Sequence, residues 1–147
     1  MRVTLDTAIL IRTNAKAIGF RQEFLDALKR AGTVLVLSPF ILSEVERVLR
    51  YPRVQAIYHL TDADIQEHIR NLQEFAEVVT PFEGPPVILK DPNDDPVVYT
   101  ALAGATDVIC TLDRHFFEPN VLSFCSKYGI SVMDDVELLQ MLRRGEF

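Results

Sequence analysis

Apolar positions along this chain fall into two alternating patterns. Strand-like runs occur at Arg2–Leu5, Thr33–Leu37, Val108–Leu112 and Ile130–Met133, with a weaker pair at Val78-Val79, and Thr33–Leu37 is continuously apolar after its first residue. Uninterrupted runs bounded by turn signals suit strands buried on both faces, as in a parallel sheet. Between them, apolar residues recur every three or four positions. Phe20, Phe24, Ala27, Leu28 and Ala31 follow that spacing, and Gly32 marks the stop. Ser38-Pro39 is a helix start, because serine caps and proline suits the first helical position. Ile41, Leu42, Val45, Val48 and Leu49 then form a stripe, which Tyr51-Pro52 is predicted to end. Thr61 opens a helix carrying Ile65, Ile69, Leu72 and Phe75. Pro96 opens one that reaches about Ala105, and Val121, Leu122 and Cys125 mark another, stopped by Gly129. Asp134-Asp135 start the last, which ends near Gly145. Parallel strands spaced this far apart need helical crossovers. The expectation is a single α/β domain over residues 1–147 around a parallel sheet of about five strands.

In a doubly wound sheet, sites form beyond the carboxyl ends of the strands, at the switch point. Asp6 ends the first run and Asp113 follows the run at 108–112, so both would project from one edge. Two such carboxylates repel unless something neutralises them. Mg²⁺ or Mn²⁺ does so, with a preference for oxygen ligands. Glu44 lies in the row Ile41–Glu44–Val48, at the border of the apolar stripe. Asp95 precedes Pro96 at a helix start, where free N–H groups and the helix dipole favour a carboxylate. Each acid alone has an ordinary use, as a turn residue, an exposed helix charge or a cap. Together they make a candidate four-carboxylate metal site, of the kind that hydrolyses phosphodiesters. Thr7 and Thr111 are candidates to orient carboxylates, and Arg114 to hold phosphate. Asp91 and Asp94 rank lower, because turn chemistry explains Asp and Asn beside proline.

Composition narrows the picture. The 147 residues are 48% apolar and 24% charged, as in a soluble globular domain. No apolar run approaches the roughly 18 residues of a membrane helix. With no signal-peptide pattern at the start, the expected compartment is the cytoplasm. The two cysteines, Cys110 and Cys125, form no metal motif, and Cys110 reads as a small core residue. The net charge of −6 argues against broad nucleic-acid binding. Setting aside four site acids from 21 leaves 17 against 15 Lys and Arg, which permits a local basic rim. Basic residues cluster at Arg12 and Lys16, at Lys29 and Arg30, at Arg47, Arg50 and Arg53, and at Arg143 and Arg144. His59, His68 and His115 fall in different elements, the first two expected on helix faces, so no histidine catalysis is expected. His115 alone stands beside a candidate acid.

These residues resemble the PIN-domain family, and within it the bacterial toxin components of toxin–antitoxin systems. The likeness runs nearly end to end. It rests on LDTAIL at Leu5–Leu10, SPFILSEVERVLRYP at Ser38–Pro52, DPNDDPVVYTALAGATDVICTLDRHFF at Asp91–Phe117 and ISVMDDVELLQML at Ile130–Leu142. The third segment is the most specific, coupling Asp95 to Asp113 through a helix and a strand. The resemblance implies a flavodoxin-like three-layer α/β/α sandwich and Mg²⁺- or Mn²⁺-dependent endoribonuclease activity on single-stranded or structured RNA. It also implies a homodimer and a cognate antitoxin protein. The family's acidic positions map onto Asp6, Glu44, Asp95 and Asp113. One departure stands out: the family's first motif usually reads Asp-Thr/Ser-Asn, whereas Ala8 follows Thr7 here.

Two other phosphate chemistries use similar architectures. An aspartyl-phosphate receiver needs paired acids after the first strand and a lysine after the last; here Asp6 stands alone and Asp134-Asp135 follow the last run. A haloacid-dehalogenase-type phosphatase needs Asp-x-Asp, which Asp6-Thr7-Ala8 does not supply. The remaining alternative is a PIN-like module that binds RNA or protein with little catalysis.

Overall fold

The computed structural model describes every residue except Ala15, Ile18 and Phe147. Strands β1 (Arg2–Leu5), β2 (Val34–Leu37), β3 (Glu77–Val78), β4 (Val108–Cys110) and β5 (Ser131–Met133) form one parallel sheet in the order β3-β2-β1-β4-β5. The strand-like runs at 2–5, 33–37 and 108–112 supply the three middle strands, whose residues are buried apart from Arg2 and Val34 at the strand starts. The edge strand β3 is two exposed residues long, which leaves little free edge for unwanted pairing.

Eight α-helices flank the sheet among the described residues: α1 (Thr7–Ile11), α2 (Phe20–Arg30), α3 (Pro39–Leu49), α4 (Pro52–Tyr58), α5 (Asp62–Phe75), α6 (Asp95–Ala103), α7 (Pro119–Lys127) and α8 (Asp135–Arg144). The result is a three-layer α/β/α sandwich. Phe24 and Leu28 of α2, Ile41 and Val45 of α3, and Leu138 of α8 are fully covered in the core. Each such side chain contributes roughly 1.5–3 kcal/mol of hydrophobic stabilisation. No helix is long and apolar enough to cross a membrane among the described residues.

Caps follow the sequence signals. Ser38 caps α3 by accepting from the Ile41 amide, Thr61 and Asp64 form a capping box on α5, and Asp134 caps α8. The stripe of α3 ends at Leu49, ahead of Tyr51-Pro52 as expected, and Pro52 also opens α4, since proline at a first helical position loses no hydrogen bond. One expectation changes. The sixth helix begins at Asp95 itself, with Asp94 as its N-cap and no side-chain capping bond.

The strand order places the switch point at β1, whose neighbours are β2 on one side and β4 on the other. Helices α3 and α6 meet beside it. The Thr100 hydroxyl lies 2.8 Å from that of Ser38, joining the start of α3 to α6 in a buried polar contact. Close approach of α6 to β2 requires Gly104, because a Cβ there would stand 2.2 Å from Cγ1 of Val36. These contacts fix the two helices whose first turns border the carboxyl edge of the sheet.

Candidate metal centre

Asp6 occupies the step from β1 to α1. Its amide donates to the Cys110 carbonyl at 2.9 Å, extending the β1–β4 ladder by one bond. Its carboxylate accepts from the Thr7 amide at 2.7 Å and from the Thr111 hydroxyl at 2.8 Å. The same Thr111 oxygen accepts from the Asp113 amide at 3.0 Å. One fully buried hydroxyl therefore fixes both the Asp6 carboxylate and the backbone that carries Asp113. Burial pushes the Asp6 carboxyl above its ordinary range; hydrogen bonds from Thr111 and Thr7 oppose this, and the charges of Asp113 and Glu44 add to it.

Glu44 and Asp94 complete the group. A cleft of about 510 Å³ is lined by Asp6, Thr7, Glu44, Asp94 and Asp113, with no lysine or arginine in its lining among the described residues. Glu44 reaches it from the middle of α3 while held by Arg47, whose guanidinium donates at 2.7 and 3.2 Å. Asp94 comes from a 3-10 turn, Pro92–Asp94, ahead of α6. Its carboxyl is pushed up to about 8 by burial, by a hydrogen bond with Asp113, and by the charges of Asp6 and Asp91. Four segments distant in sequence thus deliver four carboxylates to one concavity at the switch point.

The structure does not bring Asp95 there. Its carboxylate turns to the other side of the turn and accepts from the amides of Ile88 at 2.8 Å and Val87 at 3.2 Å. Val87 and Ile88 are buried in a loop without a strand partner, so Asp95 satisfies amides that burial would leave unpaired. Asp95 stays in the right-handed helical region, φ −53° and ψ −38°, although Pro96 follows. The place expected for Asp95 in the acidic group is taken by Asp94.

A family model for the PIN domain matches residues 2–115. The chain belongs to the PIN-domain family. No curated protein and no solved structure gives a match. PIN domains are generally metal-dependent nucleases that act on RNA or DNA.

Further donors surround the centre of this PIN domain. One ligand atom each from Asp91, Asp113 and His115 lies within 4.8 Å of the others, spacing suited to a cation. The His115 amide donates to Asp113 at 2.9 Å, and the ring Nδ1 lies 3.6 Å from the same carboxylate oxygen. In the sequence, His115 stands out only as a neighbour of Asp113, and Asp91 and Asp94 rank below Asp95. The missing signal is which way each carboxylate in Asp91–Asp95 turns, and the buried amides at 87 and 88 decide that.

Of the basic clusters, much is engaged within the PIN domain. Arg12 pairs with Asp135 at 2.8 Å, Arg50 with Asp62 and Glu46, Arg143 with Glu23 and Arg144 with Glu146. Arg114 is exposed on a 3-10 turn, Arg114–Phe117. His68 lies on a helix face, as expected, but on the buried side of α5, with Nε2 3.1 Å from the Leu10 carbonyl. Cys110 and Cys125 are buried free thiols, pushed up by burial, Cys125 to about 11.

Proposed function

We propose that this PIN domain is a metal-dependent endoribonuclease, the toxin of a type II toxin–antitoxin pair, acting in the cytoplasm as a homodimer. In this reading Asp6, Glu44, Asp94 and Asp113 hold Mg²⁺ or Mn²⁺, flanked by Asp91 and His115. The observation that carries it is the convergence of four carboxylates in a cleft without a lysine or arginine in its lining. An all-oxygen set of this charge fits a hard divalent cation; burial is the main cause that raises Asp6 and Asp94, and the smaller contribution from neighbouring carboxylates is what a cation would relieve.

When bound, the metal supplies Lewis-acid polarisation of the phosphodiester and a more acidic water. The protein's own residues provide the geometry. Thr111 and the Thr7 amide hold Asp6 in one orientation, and Thr111 sets the backbone that positions Asp113. Arg47 braces Glu44 toward the cleft. Asp95 acts as a positioning residue: by tying the 87–88 loop to the start of α6, it fixes the turn from which Asp94 projects. Hydrolysis adds water across the phosphorus–oxygen bond, leaving a phosphate on one fragment and returning a proton to the departing oxygen.

The antitoxin belongs to the same proposal. A basic segment, with arginine among the acids, suits a cleft of this sign through charge-assisted hydrogen bonds. The direct experiment is cleavage of single-stranded and structured RNA with Mn²⁺, with EDTA, and with Asp113→Asn. Mn²⁺-dependent cleavage lost in the variant is expected. Metal-independent cleavage that survives Asp113→Asn overturns the mechanism. Failure to cut any RNA favours a binding module, the outcome suggested by Ala8 in place of the family's amide.

A further inference from the structure

The row that carries Glu44 continues upstream to a second concavity. Phe40, Glu44 and Val48 are spaced i, i+4 and i+8 on α3, so they share one face. Glu44 and Val48 line the acidic cleft, whereas Phe40 lines a separate cleft of about 440 Å³ with Phe82, Glu83, Pro92 and Tyr99. Four helical residues, about 6 Å along the axis, separate Phe40 from Glu44. On the opposite wall, Asp94 borders the acidic cleft and Asp95 borders the aromatic one. The two clefts therefore draw walls from the same helix, α3, and from the same turn at Asp94-Asp95.

The aromatic cleft is built in advance. The Tyr99 ring is buried at its back and its hydroxyl donates to the Pro85 carbonyl at 2.5 Å, which occupies its polar end. Phe82 stands against Tyr99 edge-on, with centroids 5.6 Å apart and planes at 62°, yet remains 56% exposed. The loop over Tyr99 can lie there because residue 84 is glycine; a Cβ would stand 2.4 Å from the Tyr99 hydroxyl oxygen. Pro81, Pro85 and Pro86 restrict the same loop, and Asp95 anchors its far end through Val87 and Ile88. A volume of this size lies within the range of small-ligand sites, roughly 300–1,000 Å³.

The lining selects among occupants. Among the described residues no lysine or arginine lines it, and the exposed Glu83 does, so a phosphate is disfavoured. A flat ring with N–H donors on its edge fits both features: a face for Phe82 and donors for the Glu83 carboxylate. Single-stranded nucleic acids offer such rings, which stack on aromatic side chains and hydrogen-bond through their edges. Guanine fits best, because its N1–H and N2–H form two parallel donors toward a carboxylate.

We propose that the Phe40–Phe82–Tyr99 cleft receives a nucleobase of the RNA strand, next to the phosphodiester at the acidic centre, with Glu83 favouring guanine over uracil. This specificity subsite rests on the nuclease reading above for its strand, and its test keeps the two apart. Short single-stranded RNAs would carry guanine, uracil or an abasic unit at each position in turn. Binding is read by fluorescence anisotropy with Ca²⁺, and cleavage of the same strands with Mn²⁺. At one position the parent should lose at least about fivefold in affinity when the base is removed. Phe82→Ala should show the same loss with the base present and no further loss without it, while Phe82→Trp should retain binding. Glu83→Gln should level the preference for guanine over uracil. Base-dependent binding without cleavage upholds the subsite and overturns the nuclease reading. Cleavage that is indifferent to every base and to Phe82→Ala overturns the subsite, leaves the nuclease reading standing, and hands the cleft to a protein segment. Loss of both overturns both.

Discussion

Asp94 and Asp95 are consecutive, yet their carboxylates serve opposite sides of one turn: Asp94 faces Asp6 and Asp113, while Asp95 accepts from the Val87 and Ile88 amides. The two Asp→Asn variants should therefore behave oppositely. Asp94→Asn removes like-charge repulsion, so it should stabilise the metal-free protein while weakening its response to Mn²⁺. Asp95→Asn weakens charge-assisted hydrogen bonds to buried amides and should cost about 1 kcal/mol or more. Its Mn²⁺ response should persist. Thermal melts with EDTA and with Mn²⁺ read both. Equal metal responses in the two variants would place the acids differently from the arrangement seen here.

The raised Asp94 carboxyl also sets a pH dependence. Its folded-state value of about 8 exceeds its ordinary 3.8, so the folded protein holds this proton more tightly than the unfolded chain. Metal-free stability should fall as pH rises between those values and level off above about 8. Because Asp94 is only partly buried, solvent screening reduces the effect, to on the order of 1 kcal/mol. His68 acts from the other side. Burial lowers its value from 6.5, so stability should also fall as pH drops below that ordinary value. Urea unfolding in EDTA from pH 5 to 9 should show a loss toward alkaline pH that Asp94→Asn largely abolishes. An unchanged slope in that variant would assign the loss to other groups.

Much of this architecture was legible in the sequence because burial on both faces leaves uninterrupted apolar runs. Leu35–Leu37 and Val108–Cys110 are such runs, and both are central strands. Capping chemistry is equally local, so Ser38 and Thr61 announced their helices. Tyr51-Pro52 likewise marked the end of α3, and the same proline also opens α4, because a residue that cannot continue one helix suits the first position of the next. The acidic group was legible as strand ends and helix starts, but not to the single residue. Within Asp91–Asp95, which carboxylate faces the sheet edge depends on where the 81–88 loop deposits its unpaired amides, a tertiary fact without a periodic signature. The aromatic cleft had no signal at all, since Phe40, Phe82 and Tyr99 are far apart in the chain.

Thr111 links the two central acids through one buried oxygen, donating to Asp6 and accepting from the Asp113 amide. Thr111→Val keeps the shape and strands both partners. A buried unsatisfied group costs about 1–3 kcal/mol, so a loss of that order in stability is expected. A purely structural role would stop there. If Thr111 orients the acids, Mn²⁺ affinity at a temperature where the variant is fully folded should fall as well, and Thr111→Ser should restore it. Calorimetric Mn²⁺ titration of the three proteins makes the comparison; unaltered affinity in Thr111→Val would confine the residue to folding.

Ala8 lines the acidic cleft from the first turn of α1, immediately after the residues that fix Asp6. Its side chain is exposed, so a larger polar group can project into the cleft without disturbing the core. Ala8→Asn places there an amide that can donate to a carboxylate or to a phosphate oxygen and accept from a bound water. The helix cost is small: asparagine is less favourable than alanine by up to about 0.7 kcal/mol in a helix interior. The capping bond between Asp6 and the Thr7 amide does not involve this side chain. The variant should melt slightly lower in EDTA, yet cleave RNA faster with Mn²⁺ at an unchanged metal requirement. Single-turnover rates on one RNA, parent against variant, decide the point. A slower variant with intact metal affinity would mean that the open space at Ala8 is itself used by the substrate strand, and that this PIN domain has traded an amide for room.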